Sequence, residues 1–226
     1  MNKAWKRFDK LSTQCYLNMA SPEPTTSVWD EAFSVLLDIM NDGRSLDRDF
    51  APELCDLEET IDFQFDVSGW LEDYLDELDV REQYEKLQKT CEKLLKLFRW
   101  QEDSPSDLRF RIASAMGAQG KKEEALTFCE KWYQKEPDNV QGITALIYAK
   151  IGAQDLTGAE QLVDKYISKN TVCSDENDII FTAASLLYKV NGNEKAEKRI
   201  EQAIEKYEKE VEAYFSDTGE DELDFL

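Results

Sequence analysis

The sequence predicts an all-α fold, a solenoid of stacked antiparallel helix hairpins, and three observations carry that expectation. Cys91, Ala125 and Ala159 recur at intervals of 34 residues, and Ala196 follows 37 later. The first three each have apolar residues three, four and seven positions on, whereas Arg199 takes the first of those places after Ala196. A period of that length marks helix pairs that need neighbours to cover their apolar faces. Composition agrees. With 9 Gly and 5 Pro in 226 residues, long elements are rarely interrupted, and abundant Leu, Glu, Lys and Ala favour helix over strand. The apolar fraction of 42% supports a core, and no stretch approaches the roughly 18 apolar residues of a membrane span.

Residues 1–27 read as a basic N-terminal arm and hinge. Lys3, Lys6, Arg7 and Lys10 are interleaved with an amphipathic stripe of Trp5, Phe8, Leu11 and Cys15. Pro22 and Pro24 then break the helix. No secretory leader is visible in this pattern, so the chain is expected in the cytoplasm. Residues 28–70 read as a divergent acidic hairpin or cap. Trp29, Ala32, Phe33, Leu36, Leu37 and Met40 follow helical spacing, and Asn41-Asp42-Gly43 is expected to end that helix. A second helix is expected from about Pro52, with Leu54, Leu57, Ile61 and Phe65 on its stripe.

Residues 71–215 read as four better-formed hairpins. Leu71, Tyr74, Leu75 and Leu78 pair with Tyr84, Leu87, Cys91, Leu94, Leu95 and Phe98, and Ser104-Pro105 closes the unit. Leu108, Ile112, Ala113 and Met116 lead through a turn at Gly120 to Ala125, Phe128, Cys129 and Trp132, and Pro137 stops the helix. Ile143, Leu146, Ile147 and Ile151 pair with Ala159, Leu162, Val163 and Tyr166. Ile180, Ala183, Ala184 and Leu187 pair with Ala196, Ile200, Ala203 and Tyr207 across Asn191-Gly192. The short side chains have a physical cause, because antiparallel helices approach closely only where a residue is small. Residues 216–226 read as an acidic tail with Leu223, Phe225 and Leu226, for which a frayed terminus is the plainer reading and a docking peptide or a flap over the solenoid end the alternatives.

These hairpins resemble the tetratricopeptide-repeat family. Residues 106–139 match best, with Ile112-Ala113 at the motif's paired apolar and small positions, Gly120 at its turn, Ala125 at the helix-packing alanine and Pro137 at the terminating proline. Met116 stands where the family usually has an aromatic. Residues 140–173 match at Leu146 and Ala159 without the proline, residues 177–210 at Asn191-Gly192, Ala196, Ile200 and Ala203, and residues 72–105 mainly in spacing. The resemblance implies a right-handed α-α superhelix that binds a protein or peptide along the first helix of each pair. One subgroup grips a C-terminal carboxylate with lysine, asparagine and arginine. Here Asp73, Asp76 and Asp107 occupy those helices instead, which disfavours a carboxylate ligand.

On that register the partner-binding candidates are Phe110, Thr144, Tyr148, Phe181, Ser185 and Tyr188, with Ser114 beside them. Aromatic rings contribute much of an interface's energy, and the competing reading is that some of these rings fill a narrow groove. Arg109 and Arg111 flank Phe110 and suit either a ligand carboxylate or neighbouring acids. A net charge of -21 argues against nucleic acid, and a membrane surface is not the expected partner. Residues 28–79 hold seventeen acids against Arg44 and Arg48, so a basic segment of another protein is one option, and Glu58, Glu59, Asp62 and Asp66 are the residues for it. A solvated helix face is the plainer reading of the same acids.

No metal, cofactor or catalytic set is expected. The chain has no His, which removes the usual proton shuttle and the Ser-His and Cys-His pairs. Its five cysteines stand apart without zinc-ligand spacing. They read as buried thiols, except Cys173, which falls in an expected loop. The leading expectation is a non-enzymatic cytoplasmic adaptor. The second is a repeat module that acts by homo-oligomerisation. A third, a carboxylate-based hydrolase, would need two carboxyls facing each other across a pocket.

Overall fold

The computed structural model describes residues 3–21 and 23–218. Among these the protein is all-helical, with eleven helices and no strand. The chain divides into two compact units, Met1–Ala115 and Met116–Leu226. The expected segments 1–27 and 28–70, and the first of the repeats, fall within the first unit.

In the first unit, α1 (Lys3–Met19) buries Trp5, Phe8, Leu11 and Cys15, the stripe that its spacing predicts. It packs on α2 (Ser27–Leu46), after the Pro24 segment has turned the chain. The glue is aromatic. Trp29 of α2 stacks on Trp70 at 5.6 Å, and Tyr74 lies 5.7 Å from Trp70. Phe8 and Trp70 meet edge to face, with ring centres 5.0 Å apart. Such ring pairs add about 0.5–1.5 kcal/mol each beyond their burial. One ion pair, Arg7–Glu31 at 2.8 Å, also joins α1 to α2, but both partners are more than half exposed, so it contributes little.

Two expectations for the acidic segment need correction. Helix α2 does not stop at Asn41-Asp42-Gly43 but continues to Leu46. Gly43 serves packing instead: a Cβ there would fall into the Phe50 ring. The following helix, α3 (Leu54–Glu59), has six residues. Glu53 and Asp56 form its capping box, and Asp62 and Phe63 then take positive φ values of 52° and 53°, which break any longer helix. Phe65 lies beyond that break and stacks on Trp5 at 6.1 Å.

Helices α4 (Val67–Val80) and α5 (Tyr84–Leu97) form the next hairpin, with Leu71, Tyr74, Leu75, Leu78, Leu87, Cys91 and Leu94 buried. Helix α6 (Ser106–Ala118) follows Pro105 and spans the boundary of the two units. In the second unit, α7 (Lys122–Lys135) is followed by α8 (Val140–Gly152), α9 (Leu156–Tyr166), α10 (Asp178–Asn191) and α11 (Glu194–Thr218). Helix α8 packs against α7, α9 and α10, and α10 packs against α9 and α11. The turns predicted at Gly120 and Gly192 have φ values of 77° and 73°, the left-handed conformation that glycine adopts without penalty. Ala125 and Ala159 are buried at the packing positions, whereas Ala196 keeps partial exposure. Asp66, Asn139 and Asp155 cap α4, α8 and α9 by accepting a backbone N–H three residues on, at 2.7–2.9 Å.

Candidate functional site

The helix register splits the expected partner-binding residues into two groups. Thr144, Phe181 and Tyr188 are interior, at 1%, 1% and 2% exposure. The Thr144 hydroxyl donates to the Val140 carbonyl at 2.8 Å, and the two rings fill space within the second unit. Tyr148 of α8 and Ser185 of α10 are half-buried and retain surface. Phe110 is half-buried too, but on the α6 segment of the first unit. Burial raises the Tyr148 phenol above its ordinary value. Burial does the same to Tyr188, with the carboxylates of Asp164 and Glu160 adding to the effect.

Further apolar surface on α10 comes from Leu186 and Val190, at 41% and 46% exposure. Together with Thr182 they follow i, i+4, i+8 spacing, the neighbouring row to the one the repeat register picks out. The sequence carried that signal, but a helix with apolar residues on most sides does not show which row is covered.

A polar cluster ties α7 to α9. The Tyr133 and Tyr166 hydroxyls lie 2.9 Å apart, although 33 residues separate them in sequence. The Lys165 ammonium donates to both, at 2.7 and 3.1 Å, and the Tyr166 hydroxyl donates to the Pro137 carbonyl at 2.8 Å. Lys165 also lies 5.3 and 4.9 Å from the two ring centres. Its hydrogen bond to Tyr133 raises the ammonium above the usual lysine range. The Tyr133 phenol is lowered although burial opposes this, because the Lys165 ammonium donates to its oxygen.

In the first unit, several acids of the 28–79 block have structural tasks. Asp30 accepts from Tyr74 at 2.7 Å and pairs with Lys86 at 2.7 Å. Asp73 accepts from Tyr16 at 2.9 Å, and Glu58 accepts the Ser68 N–H at 2.7 Å. Arg111 binds Asp76 and Asp107 at 2.6 and 2.7 Å, so it pairs with neighbouring acids. Asp62 lines a cleft of about 470 Å³ together with Asp42 and Asp47. Trp5, Ile39, Leu46, Phe50 and Ile61 supply its apolar wall. Three carboxylates beside an apolar wall can hold an aliphatic stem that ends in a cation.

The cysteine expectation needs one correction. Cys173 is 3% exposed and therefore not accessible, while Cys55 is the half-buried thiol. Cys173 closes into the second unit because the 168–177 segment folds on itself. Thr171 bonds to Ser168 there, and Asn177 bonds to the Ser174 N–H and the Val172 carbonyl. Burial pushes the Cys91 and Cys129 thiols up to about 12, and Cys15 and Cys173 to about 11. Thiols held neutral in this way are poor nucleophiles at neutral pH.

Comparison with known proteins gave no match to any family model, curated protein or solved structure. No helix among the described residues is long and apolar enough to cross a membrane.

Proposed function

We propose that the chain is a non-enzymatic cytoplasmic adaptor of the tetratricopeptide-repeat type, which holds a protein or peptide segment against the first helices of its hairpins. The observation that carries this reading is the meeting of Tyr133 and Tyr166 at hydrogen-bond distance, 33 residues apart. Successive second helices, α7 and α9, meet there, as a stacked array of hairpins requires. The first helices α8 and α10 then offer Tyr148, Ser185 and Leu186 as surface. Thr144, Phe181 and Tyr188 support that surface from beneath. A basic partner segment is favoured by the three carboxylates that line the cleft of the first unit.

The test starts from the native cell. A partner co-purified with the tagged chain and identified by mass spectrometry is titrated against purified wild type and against Tyr148→Ala and Ser185→Arg. Affinity should fall at least tenfold in either variant. Undiminished binding by both removes α8 and α10 as the docking face.

Self-association is a second reading, favoured by α11. That helix has 25 residues against the 14 of α10, its hairpin partner. At 1.5 Å per residue it is about 16 Å longer. Its apolar positions Ile200, Ile204, Tyr207, Val211 and Tyr214 alternate steps of four and three, the spacing of a two-helix seam. Tyr214 and Phe215 are 66% and 68% exposed. Sedimentation over a concentration series should then show a dimer that Tyr214→Glu dissociates, and a monomer at every concentration removes this reading.

A further inference from the structure

The only two cations of the 28–79 block, Arg44 and Arg48, are brought together with Lys96 and Arg99 from the end of the α4–α5 hairpin. The four line one cavity of about 230 Å³, whose other walls are Asp49, Phe50, Pro52, Leu97 and Phe98. This grouping is unexpected in a chain of net charge -21. Acids outnumber bases 48 to 27, yet a single carboxylate lines this space.

Each cation has its own circumstance. Arg44 is half-buried and donates to three backbone carbonyls, Phe50 at 3.3 Å, Ala51 at 3.1 Å and Leu97 at 2.6 Å. It makes no ion pair with a described carboxylate, and burial together with the neighbouring Arg99 guanidinium lowers its pKa. Arg99 pairs with Asp49. Arg48 and Lys96 are exposed and make no hydrogen bond or ion pair with the described residues.

The ordinary explanation is that cations gather where helices end. Both α2 and α5 end here, at Leu46 and Leu97. A helix C-terminus is equivalent to roughly half a negative charge, so the two ends together supply about one. Four cations less Asp49 leave three positive charges. About two remain unbalanced after the dipoles are counted. A doubly charged, compact anion matches that remainder.

We propose that this cavity is a binding site for a single phosphoryl group, as free phosphate or a phosphate monoester. The space far exceeds the ~30 Å³ share of one water, so a phosphoryl group fits with its ester carbon against Phe50 or Phe98. Arg48 and Lys96 hold the charge, as the free cations at the rim. Arg44, fixed by its carbonyls, presents its remaining N–H donors without losing side-chain freedom. The strongly negative field of the rest of the chain selects against polyanions, since every further phosphate would be repelled outside the cavity. A single phosphoryl group, free or on a small molecule or side chain, is therefore the class of ligand. This inference concerns the first unit and does not depend on the adaptor reading.

Calorimetric titration of the full chain at low ionic strength tests it, with inorganic phosphate, O-phosphoserine and glutamate as probes. Phosphate and O-phosphoserine should each bind saturably, one per chain, and compete with one another. Arg48→Ala and Lys96→Ala should each weaken both by at least tenfold while leaving the thermal midpoint unchanged, and Lys189→Ala, on α10, should leave binding as in wild type. No saturable binding overturns the proposal. So do binding that survives both variants, loss of binding in the Lys189 control, or glutamate bound as tightly as O-phosphoserine.

Discussion

At the scale of single residues, Gly43 marks a close approach rather than a turn. Gly43 sits inside α2 because the Phe50 ring occupies the space of its missing Cβ. Gly43→Ala gains up to about 1 kcal/mol of helix propensity but meets an overpacking cost of about 1–3 kcal/mol. Net destabilisation is therefore expected in urea titration, and a more stable variant would show that the Phe50 ring moves freely. The cysteines give a second residue-scale prediction. A thiol reagent at pH 8 should modify Cys55 first and Cys173 only on unfolding, although burial and Glu102 also raise the Cys55 pKa. The fast phase should vanish in Cys55→Ser, and rapid labelling of Cys173 would contradict its burial. The sequence pointed the other way, with Cys173 in an expected loop and Cys55 inside the helix expected from about Pro52. Their fates depend on how each neighbouring loop closes.

At the scale of elements, the repeat spacing located the helices well and their packing unevenly. Helices α4 to α10 fall where the spacing of Leu71 to Leu187 places them, because a 3.6-residue apolar stripe is a local property. The packing positions differ in consequence. Ala125 is 3% exposed, whereas Ala196 is only partly covered. Ala125→Leu should therefore cost about 1–3 kcal/mol by overpacking, and Ala196→Leu clearly less, as read from paired thermal melts. Equal losses would mean that Ala196 is packed as tightly as Ala125. The acidic segment departs from its expected form for an equally local reason. Asn-Asp-Gly is a helix-stop signal in isolation, but packing of Phe50 on Gly43 favours continuation. The candidate face on α8 and α10 was legible in register but not in depth, since Tyr148 and Tyr188 look alike in sequence and only Tyr188 is enclosed.

At the scale of the whole molecule, the buried titrating groups set a direction for stability with pH. Cys91 and Cys129 rise to about 12, and Cys15 and Cys173 to about 11, from about 8.5 in an unfolded chain. A raised folded pKa keeps its proton where the unfolded chain has released it. Its contribution is fully present below about pH 8.5 and is lost as pH climbs toward the folded values. Buried Tyr74, raised by burial and by Asp30, acts in the same direction. Chemical denaturation from pH 8 to 11 should show falling stability with a shallower slope in Cys129→Ala, and a flat profile would contradict the burial of these thiols. The 34-residue spacing and the apolar stripes by themselves determined that the chain is helical, where most helices lie and which small residues recur, because these follow from short-range propensity and periodicity. Only the tertiary structure decided that Phe181 and Tyr188 are interior, that the N-terminal basic helix is fastened by a stack of Trp29, Trp70 and Tyr74, and that four cations distant in sequence surround one cavity. Those outcomes depend on which faces meet, and a helical stripe specifies that a face is buried without specifying against what.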